Sequence, residues 1–422
     1  METGIFELYE SNVRSYCRHF PTVFEYAKGA TMTDEAGRTY IDFFCGAGAL
    51  NYGHNNDYIK EKLLRYLQED RILHAMDMYS PAKREFIRFM EEKVLKPRGM
   101  DYKIQFVAPT GTNSVEAALK LARKVKGRTN IFALMGAFHG MTLGSLALTS
   151  DVSDRAGAGV PLHDVTHIPA PYMFPELDTV AYMERLLTDD HSGVSRPAAI
   201  IFEPVQSDGG IYPLPAEWIR RVRDLCHRHD ILMICDDIQA GNNRTGSFFS
   251  FERAGVIPDM ITLSKSIGGY GMPCSVLLLK PELDIWKPGE HNGTFRGNQL
   301  AFVCAKAGLE FMLDNDIAGQ VRAKEAIVHD FLASEIAPLD ERIAIRGIGL
   351  MWGLDFNGFD GKVSARDVGH ACFDRGLIAE CCGRNGNVLK LMPPLVIGED
   401  MLKEGLAIVR EAVAEVLAAA EA

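Results

Sequence analysis

The sequence lacks the features that mark small secreted, metal-binding or membrane proteins. Its nine cysteines include no C-x-x-C spacing, so we expect reduced thiols and no metal site. No apolar run approaches the roughly 20 residues that span a bilayer. The first ten residues, METGIFELYE, carry acidic side chains and lack the apolar core of a signal peptide. We therefore expect a cytoplasmic protein with no membrane partner.

Positive charge is also in short supply. The 45 Lys and Arg residues are outnumbered by 56 Asp and Glu residues, which gives a net charge of -11, and no Lys/Arg-rich arm is present. This balance argues against a nucleic-acid partner. Hydrophobic residues make up 47% and charged residues 24% of the 422 residues, so the composition indicates a globular protein of two or more domains.

Two nucleotide-binding motifs are missing as well. The segment CGAGALN begins with G-x-G, but Asn51 stands where the dinucleotide fingerprint needs its last glycine. The Gly361–Lys362 pair is followed by Val363, which excludes a P-loop at that position.

What the sequence does contain is a series of short apolar runs that alternate with helical stretches. Such runs are typical of buried parallel strands, and the alternation predicts a mostly parallel α/β sheet. The six runs are KIQFVAP, NIFALMGAF, PAAIIFEP, DILMICDD, DMITLSK and CSVLLLK. Helices are predicted at 114–126, 215–229, 317–335 and 400–420, and a further helical pattern after about residue 299 ends at 316. The segment IAIRGIGLMWGLDF alternates like strands.

An acid and a lysine follow two of these runs. Asp236 ends DILMICD, and open α/β sheets bind ligands at the carboxyl ends of their strands. Beside a pyridinium nitrogen, such an acid would keep the nitrogen protonated. Lys265 follows the next run, where an amine among apolar walls has a lowered pKa and can form a Schiff base. Alone, either residue is more often structural; the glycines of SIGGYG favour a functional lysine because they would let the backbone approach a bound ring.

A strand, a glycine turn and a helix start follow one another in APTGTNSVEAALKLAR. The free N–H groups and the dipole of a helix amino terminus favour an anion, so Thr110, Gly111 and Thr112 are candidate phosphate ligands. An ordinary capped turn would have the same residues.

In this order, these segments resemble the class III aminotransferases, from GRTYIDF to MPPL. The family pattern D-[ED]-[IV]-Q-x-G-x-x-R-T-G is present as DDIQAGNNRTG, with Asn243 where the family usually has glycine. The resemblance implies fold type I of the pyridoxal-phosphate-dependent transferases and pyridoxal 5′-phosphate as cofactor. It implies a large domain at 56–315 and a small α+β domain at 316–422, which the segment 1–55 joins.

The resemblance also implies roles for individual residues. Lys265 would carry the cofactor and Asp236 would pair with its ring nitrogen. The other implied cofactor contacts are Gly111 and Thr112 at the phosphate, Phe138 stacked on the ring, His139 in support, Glu203 as a buttress, Gln239 at the phenolic oxygen, and Thr294 reaching the phosphate from a partner subunit. A homodimer or higher homo-oligomer is therefore expected.

The substrate side departs from the family pattern. Asp208 stands where relatives acting on terminal amines have a glutamate that pairs with an arginine, and that arginine is Lys390 here. Met141 replaces a second arginine. A lysine lacks the bidentate fork that grips a carboxylate. We hypothesise that Arg14 or Arg18 supplies the missing charge.

The amino-terminal segments, YESNVRSYCRHFPTVFEYAKGA and FFCGAGALNYGHNN, are most similar to the ectoine-synthesis branch of this family. That branch implies glutamate and L-aspartate 4-semialdehyde as substrates, with L-2,4-diaminobutyrate and 2-oxoglutarate as products. Three alternatives stay open. They are a transaminase for ornithine, acetylornithine or 4-aminobutyrate, a decarboxylase or aminomutase of the same fold, and a non-catalytic ligand sensor.

Overall fold

The computed structural model describes residues 3–421. The strands in this range are β1 (Phe24–Lys28), β2 (Thr31–Asp34), β3 (Thr39–Asp42), β4 (Lys103–Phe106), β5 (Ile131–Leu134), β6 (Val165–Ile168), β7 (Ala199–Phe202), β8 (Val205–Gln206), β9 (Tyr212–Pro213), β10 (Leu232–Asp236), β11 (Met260–Leu263), β12 (Val276–Leu279), β13 (Ala344–Ile348), β14 (Met351–Asp355), β15 (Leu377–Ile378), β16 (Glu380–Cys382) and β17 (Val388–Leu391).

The α-helices cover the helical stretches that the sequence predicts. They are α1 (Gly4–Tyr9), α2 (Tyr16–His19), α3 (Cys45–Gly48), α4 (Asp57–Gln68), α5 (Pro81–Phe89), α6 (Gly111–Lys126), α7 (Leu143–Leu148), α8 (Val152–Ala156), α9 (Thr179–Thr188), α10 (Ala216–Arg228), α11 (Gln299–Asp314), α12 (Ile317–Phe331), α13 (Ala365–Asp374) and α14 (Glu399–Glu421).

A seven-stranded sheet forms the centre of the larger part of the molecule, in the order β4-β12-β11-β10-β7-β5-β6. Side chains alternate between its two faces. Ile131 and Ala133 of β5 pack in the core that faces α6, whereas Phe132 and Leu134 pack in the core on the opposite side. Because both faces are covered, its inner strands are apolar throughout, and the predicted fold class, a mostly parallel α/β sheet, is confirmed.

One strand direction was predicted wrongly. The run CSVLLLK was expected to be parallel like the others, but β12 is antiparallel to both of its neighbours, β11 and β4. The connection between Leu263 and Val276 holds only a short 3₁₀ turn, Lys265–Gly268. A parallel return needs a longer crossover, usually a helix, so the chain comes back in the opposite direction.

Two four-stranded sheets lie outside the large one, in the orders β1-β2-β3-β15 and β13-β14-β17-β16. In the first, β3 from the amino-terminal segment pairs in parallel with β15 from the carboxyl-terminal part. The boundaries at 55/56 and 315/316 stay predictions. Arg244, fully buried, donates to Asn51 Oδ1 at 2.5 Å and to Leu350 O at 3.0 Å, so it connects the three chain regions.

None of the helices in residues 3–421 combines the length and apolar character needed to cross a bilayer.

Candidate active site

A buried acid–histidine pair lies at the carboxyl end of β10. Asp236 Oδ2 and His139 Nδ1 are 2.7 Å apart, and Thr262 Oγ1 donates to Asp236 Oδ1 at 3.0 Å. Burial opposes protonation of His139, but the hydrogen bond and the charge of Asp236 outweigh it, so the pKa of this imidazole is raised. The pair therefore favours a proton between histidine and carboxylate and fixes the orientation of Asp236.

Lys265 follows the neighbouring strand β11 and opens the 3₁₀ turn Lys265–Gly268. Its φ of 52° lies in the left-handed region, which costs a residue with a Cβ about 1–2 kcal/mol. Burial lowers the pKa of its amine; the charge of Asp208 opposes this shift and that of Lys390 adds to it. Such strain is retained where the surrounding structure requires one side-chain position, and the lowered pKa enlarges the neutral, nucleophilic fraction of the amine.

One of the glycines after Lys265 packs closely on a helix. A Cβ on Gly269 would lie 2.0 Å from the carbonyl oxygen of Cys304 in α11, and the φ of Gly269 is 72°. This glycine lets the turn pack on the backbone of that helix. The expectation that the glycines of SIGGYG let the backbone approach a bound ring stays a prediction.

The predicted phosphate turn lies next to both strand ends. A Cβ on Gly111 would be 3.0 Å from Ile238 Cδ1 and 3.6 Å from Ser264 Cβ, which places α6's start beside the segments that follow β10 and β11. Thr110 and Asn113 form a capping box, and Thr112 Oγ1 lies 2.6 Å from Thr142 Oγ1. The cap engages Thr110, so the remaining free N–H groups of this helix start can serve an anion.

Glu203 supports the segment that carries Phe138 and His139. Its Oε1 accepts from Phe138 N at 3.0 Å, and its Oε2 accepts from Ser207 Oγ at 3.0 Å. Burial raises the pKa of Glu203 to about 7, despite the opposing charge of His139. The carboxyl group thus buttresses two loops and titrates near neutrality.

On the substrate side, one buried lysine lies between two acids. The amine of Lys390, only 1% exposed, is 2.8 Å from Asp208 Oδ1 and 2.7 Å from Glu380 Oε2. Burial opposes its charge, but the two carboxylates raise its pKa well above the usual value. Gln239 also approaches: its Oε1 is 3.5 Å from the same amine, and its Nε2 donates to Ala47 O at 2.9 Å. The cluster carries one net negative charge.

A cavity of about 1150 Å³ opens beside this cluster. Phe138 lines it from the loop after β5 of the large sheet and Asp208 from the loop after β8, while Glu380 and Arg384 line it from β16 and the turn that follows, and Tyr16 from α2. The cavity therefore lies at the seam between three regions of the chain, where ligand sites commonly form.

Two predicted residues lie elsewhere. Arg14 does not line this cavity; its Nε is 4.0 Å from Glu10, and the neighbouring Ser15 and Tyr16 face the cavity instead. Arg18 donates to Asn12 Oδ1 at 2.6 Å on the exposed surface. Thr294 is also on the surface, where its carbonyl oxygen is 2.8 Å from His74 Nε2.

Sequence reasoning missed Glu380 and Arg384. Glu380 reaches the cluster because β16 and β17 pair antiparallel with Glu380 opposite Lys390. The sequence gives no signal of that register, since ECC is too short to show an alternation.

A family model described as aminotransferase class III matches residues 13–413. This chain belongs to the class III aminotransferases. It is 50% identical over 416 residues to the diaminobutyrate–2-oxoglutarate transaminase of Halalkalibacterium halodurans. This alignment covers 98% of this chain and 96% of that relative. The protein of the same name from Wolinella succinogenes is 50% identical over 422 residues, an alignment that covers 99% of this chain and 97% of that relative. The one from Nocardia farcinica is 50% identical over 414 residues, which cover 98% of this chain and 94% of that relative.

Solved structures show the same fold in other aminotransferases. The ornithine aminotransferase of Toxoplasma gondii superposes with a TM-score of 0.87 at 24% identity and covers 99% of this chain and 95% of its own. An aminotransferase of Bacillus anthracis gives 0.86 at 25% identity, with 98% and 97% covered. This aminotransferase is therefore of fold type I.

Class III aminotransferases use pyridoxal 5′-phosphate, and the residues present fit that group. Asp236 would offer a carboxylate to the ring nitrogen, Lys265 would offer an amine of lowered pKa to the carbonyl carbon, and the start of α6 would offer N–H donors to the phosphate. The Nε2 of His139 is a buried nitrogen without a hydrogen-bond partner in residues 3–421, as expected where a ligand is to complete the site.

Proposed function

We propose that this aminotransferase interconverts L-glutamate and L-aspartate 4-semialdehyde with 2-oxoglutarate and L-2,4-diaminobutyrate. The observation that carries the proposal is 50% identity, over nearly the full length of both chains, to several transaminases of that name. The charge of the substrate side supports it. The net negative charge of Asp208, Glu380 and Lys390 suits an amine substrate that keeps a second ammonium group at its far end.

When bound, pyridoxal phosphate supplies an electron sink that stabilises the charge left when a C–H bond of the amine substrate breaks. Asp236 maintains a proton on the ring nitrogen because His139 and Thr262 fix its carboxylate. Lys265 would hold the cofactor through Nζ. Its Nζ would also take the proton from the amine-bearing carbon of the substrate and later return it, as a general base and then a general acid.

The phosphate, in this proposal, binds at Gly111 and Thr112, Phe138 stacks on the ring, and Gln239 bonds the phenolic oxygen. The amide nitrogen of Gln239 has a second hydrogen beyond the one given to Ala47 O, so it can serve both groups. Glu203 holds the backbone of Phe138 in place.

On the substrate side, the Asp208 carboxylate is 2.8 Å from the amine of Lys390, and its charge opposes the lowering of the Lys265 pKa by burial. We infer that Asp208 and Glu380 orient the far-end ammonium of diaminobutyrate, while Lys390 limits their joint charge to one.

We further propose a homodimer in which Thr294 of the partner subunit contacts the phosphate. Two segments, 72–79 and 293–298, are joined by hydrogen bonds such as Ala75 N to Gly297 O at 3.1 Å. Together they expose large apolar side chains: Ile72, Leu73, Met76, Met78, Tyr79 and Phe295. A cluster of this size on a surface that also carries Thr294 is typical of an interface. Light scattering on the eluted protein tests the dimer, and a monomer with full activity would contradict it.

The nine cysteines are all free, which supports our placement of the protein in the reducing cytoplasm.

The activity is tested by measuring kcat/KM for amino donors to 2-oxoglutarate. We expect diaminobutyrate to exceed ornithine, acetylornithine and 4-aminobutyrate by at least about tenfold, and the product of the reverse reaction with L-aspartate 4-semialdehyde to have the mass of diaminobutyrate. A higher value for ornithine would leave the enzyme a transaminase and overturn the substrate. Release of CO₂ from diaminobutyrate without a need for 2-oxoglutarate would indicate a decarboxylase.

A further inference from the structure

The cavity beside the active site contains an arginine that no acid among residues 3–421 neutralises. Arg384 lines the cavity and is exposed to it, and no carboxylate of the described residues lies within ion-pair distance of its guanidinium. By contrast, Lys390 is held by two acids. Of these two cations, Arg384 is the one left available for a substrate anion.

The backbone fixes Arg384 next to the substrate side. Gly383 N donates to Asp208 O at 2.8 Å, so the residue before Arg384 is bonded to the residue that carries the substrate-side carboxylate. The φ of Gly383 is 76°, and a Cβ there would lie 2.6 Å from Val388 Cγ2. Only glycine fits this position, and its close packing fixes the start of the short turn Arg384–Gly386.

An aromatic stack holds the side chain. The guanidinium of Arg384 lies 5.5 Å from the centre of the Tyr172 ring, which stacks on Tyr212 at 3.6 Å, and Arg346 covers the far side of Tyr212 at 3.8 Å. Tyr172 OH in turn donates to Gln206 Oε1 at 2.5 Å. This Arg–Tyr–Tyr–Arg stack aligns the guanidinium along the cavity wall without neutralising its charge.

Arg384 also lies near the segment that carries Phe138. Its Nη2 is 3.3 Å from where a Cβ of Gly136 would lie, and Phe138, two residues further on, lines the same cavity. An α-amino acid end carries an ammonium and a carboxylate on one carbon. The acids around Lys390 match the first group, and Arg384 matches the second.

We propose that Arg384 binds the carboxylate at the far end of the amine substrate, with Tyr172 as its positioning residue. This inference rests on the proposed transamination of a terminal amine and adds the residue that reads the carboxylate. A guanidinium binds a carboxylate through two parallel hydrogen bonds, which the lysine at position 390 cannot do.

The test compares two amines that differ only in the carboxylate: L-2,4-diaminobutyrate and 1,3-diaminopropane. In the cofactor-loaded enzyme, we expect Arg384→Gln to lower kcat/KM for diaminobutyrate about 10- to 100-fold, because a charge-assisted hydrogen bond is lost. The value for diaminopropane should change less than about twofold. Arg384→Lys should recover only part of the loss.

Arg366→Gln is the matched control. Arg366 is a second exposed arginine of the same cavity without an acidic partner in the described part of the chain, and its charge acts on His19. We expect this variant to treat the two amines as the wild type does. A selective loss in Arg366→Gln instead of Arg384→Gln would overturn the proposal, as would an equal loss for both amines in Arg384→Gln.

Failure of the proposed function gives a different result. If the wild type prefers ornithine or 4-aminobutyrate, the substrate assignment fails, and the same variants are compared on that amine and its decarboxylated counterpart, putrescine or propylamine. The role of Arg384 is then still tested by the ratio of kcat/KM for that amine to kcat/KM for its counterpart without the carboxylate.

Tyr172→Leu tests the stack. We expect the diaminobutyrate-to-diaminopropane ratio of kcat/KM to fall by several-fold in Tyr172→Leu and less in Tyr172→Phe, which keeps the ring but loses the hydroxyl beside Arg384. If Tyr172 had a purely structural role, its loss would lower kcat/KM for both amines together and leave their ratio unchanged.

Discussion

The two sides of this active site are built differently. On the cofactor side, Asp236 and Lys265 stand at the ends of adjacent parallel strands of one sheet, with the start of α6 beside them. On the substrate side, Lys390 and Glu380 come from one sheet and Asp208 from a loop after β8 of another. In the proposed function, the first side acts on the cofactor. The second joins separate regions of the chain and is proposed to select the amine.

Replacement of Lys265 should have the largest effect, and it tests the cofactor side. We expect Lys265→Ala to lower kcat by roughly a thousandfold or more and to abolish the visible absorption band that the cofactor gives when bound to a lysine. Circular dichroism should stay unchanged, which separates this loss from misfolding. A variant that kept both the band and turnover would remove Lys265 from its role.

Asp236→Asn sharpens the same point. An amide cannot hold a proton on the ring nitrogen by charge, so we expect kcat to fall about 100- to 1000-fold while the cofactor still binds. Asp237→Asn is the adjacent control. The carboxylate of Asp237 accepts hydrogen bonds from Ser250 N and Oγ and does not contact His139. Comparable loss in the two variants would show that the acid at position 236 has no special role.

On the substrate side, the expected effects are smaller and selective. Asp208→Asn should lower kcat/KM for diaminobutyrate about tenfold and that for glutamate less, since only the former keeps an ammonium at its far end. Lys390 stays paired with Glu380, so the variant should fold. Equal loss for both substrates, measured in separate half-reactions, would contradict the division between the two sides.

The smallest effect concerns stability and pH. The pKa of Glu203 is raised to about 7 by burial, so its neutral form is favoured in the folded protein. Its contribution is fully present below the unfolded pKa near 4.5 and is lost as pH rises through about 7. Without cofactor, we expect the Tm of the wild type to fall from pH 5.5 to 8.5, and Glu203→Gln to flatten that slope by a few degrees. An unchanged slope would mean that Glu203 is ionised throughout.

The contrast between the cofactor side and the substrate side also explains which site residues could be predicted from the sequence. Asp236 and Lys265 were recognisable because an acid and a lysine directly follow apolar runs, and strand ends meet at one edge of a parallel sheet. The direction of β12 was not, because nothing local distinguishes a parallel from an antiparallel buried strand.

Glu380 and Arg384 could not be predicted for a related reason. Glu380 depends on the register of β16 against β17, a local pairing whose strands are too short to show an alternation in the sequence. Arg384 depends on a turn that Gly383 joins to Asp208, in a distant part of the chain. Lys390 was found only as a departure from the family pattern, and its two acidic partners required the structure.

The most direct test of the account is a spectral titration of the cofactor-loaded enzyme with single amines, without an acceptor. We predict that the band of the lysine-bound cofactor disappears fastest with L-2,4-diaminobutyrate, more slowly with ornithine, acetylornithine or 4-aminobutyrate, and returns when 2-oxoglutarate is added. A faster response to any of the other amines, or a band that diaminobutyrate does not change, would contradict the proposed division of the site between cofactor and substrate.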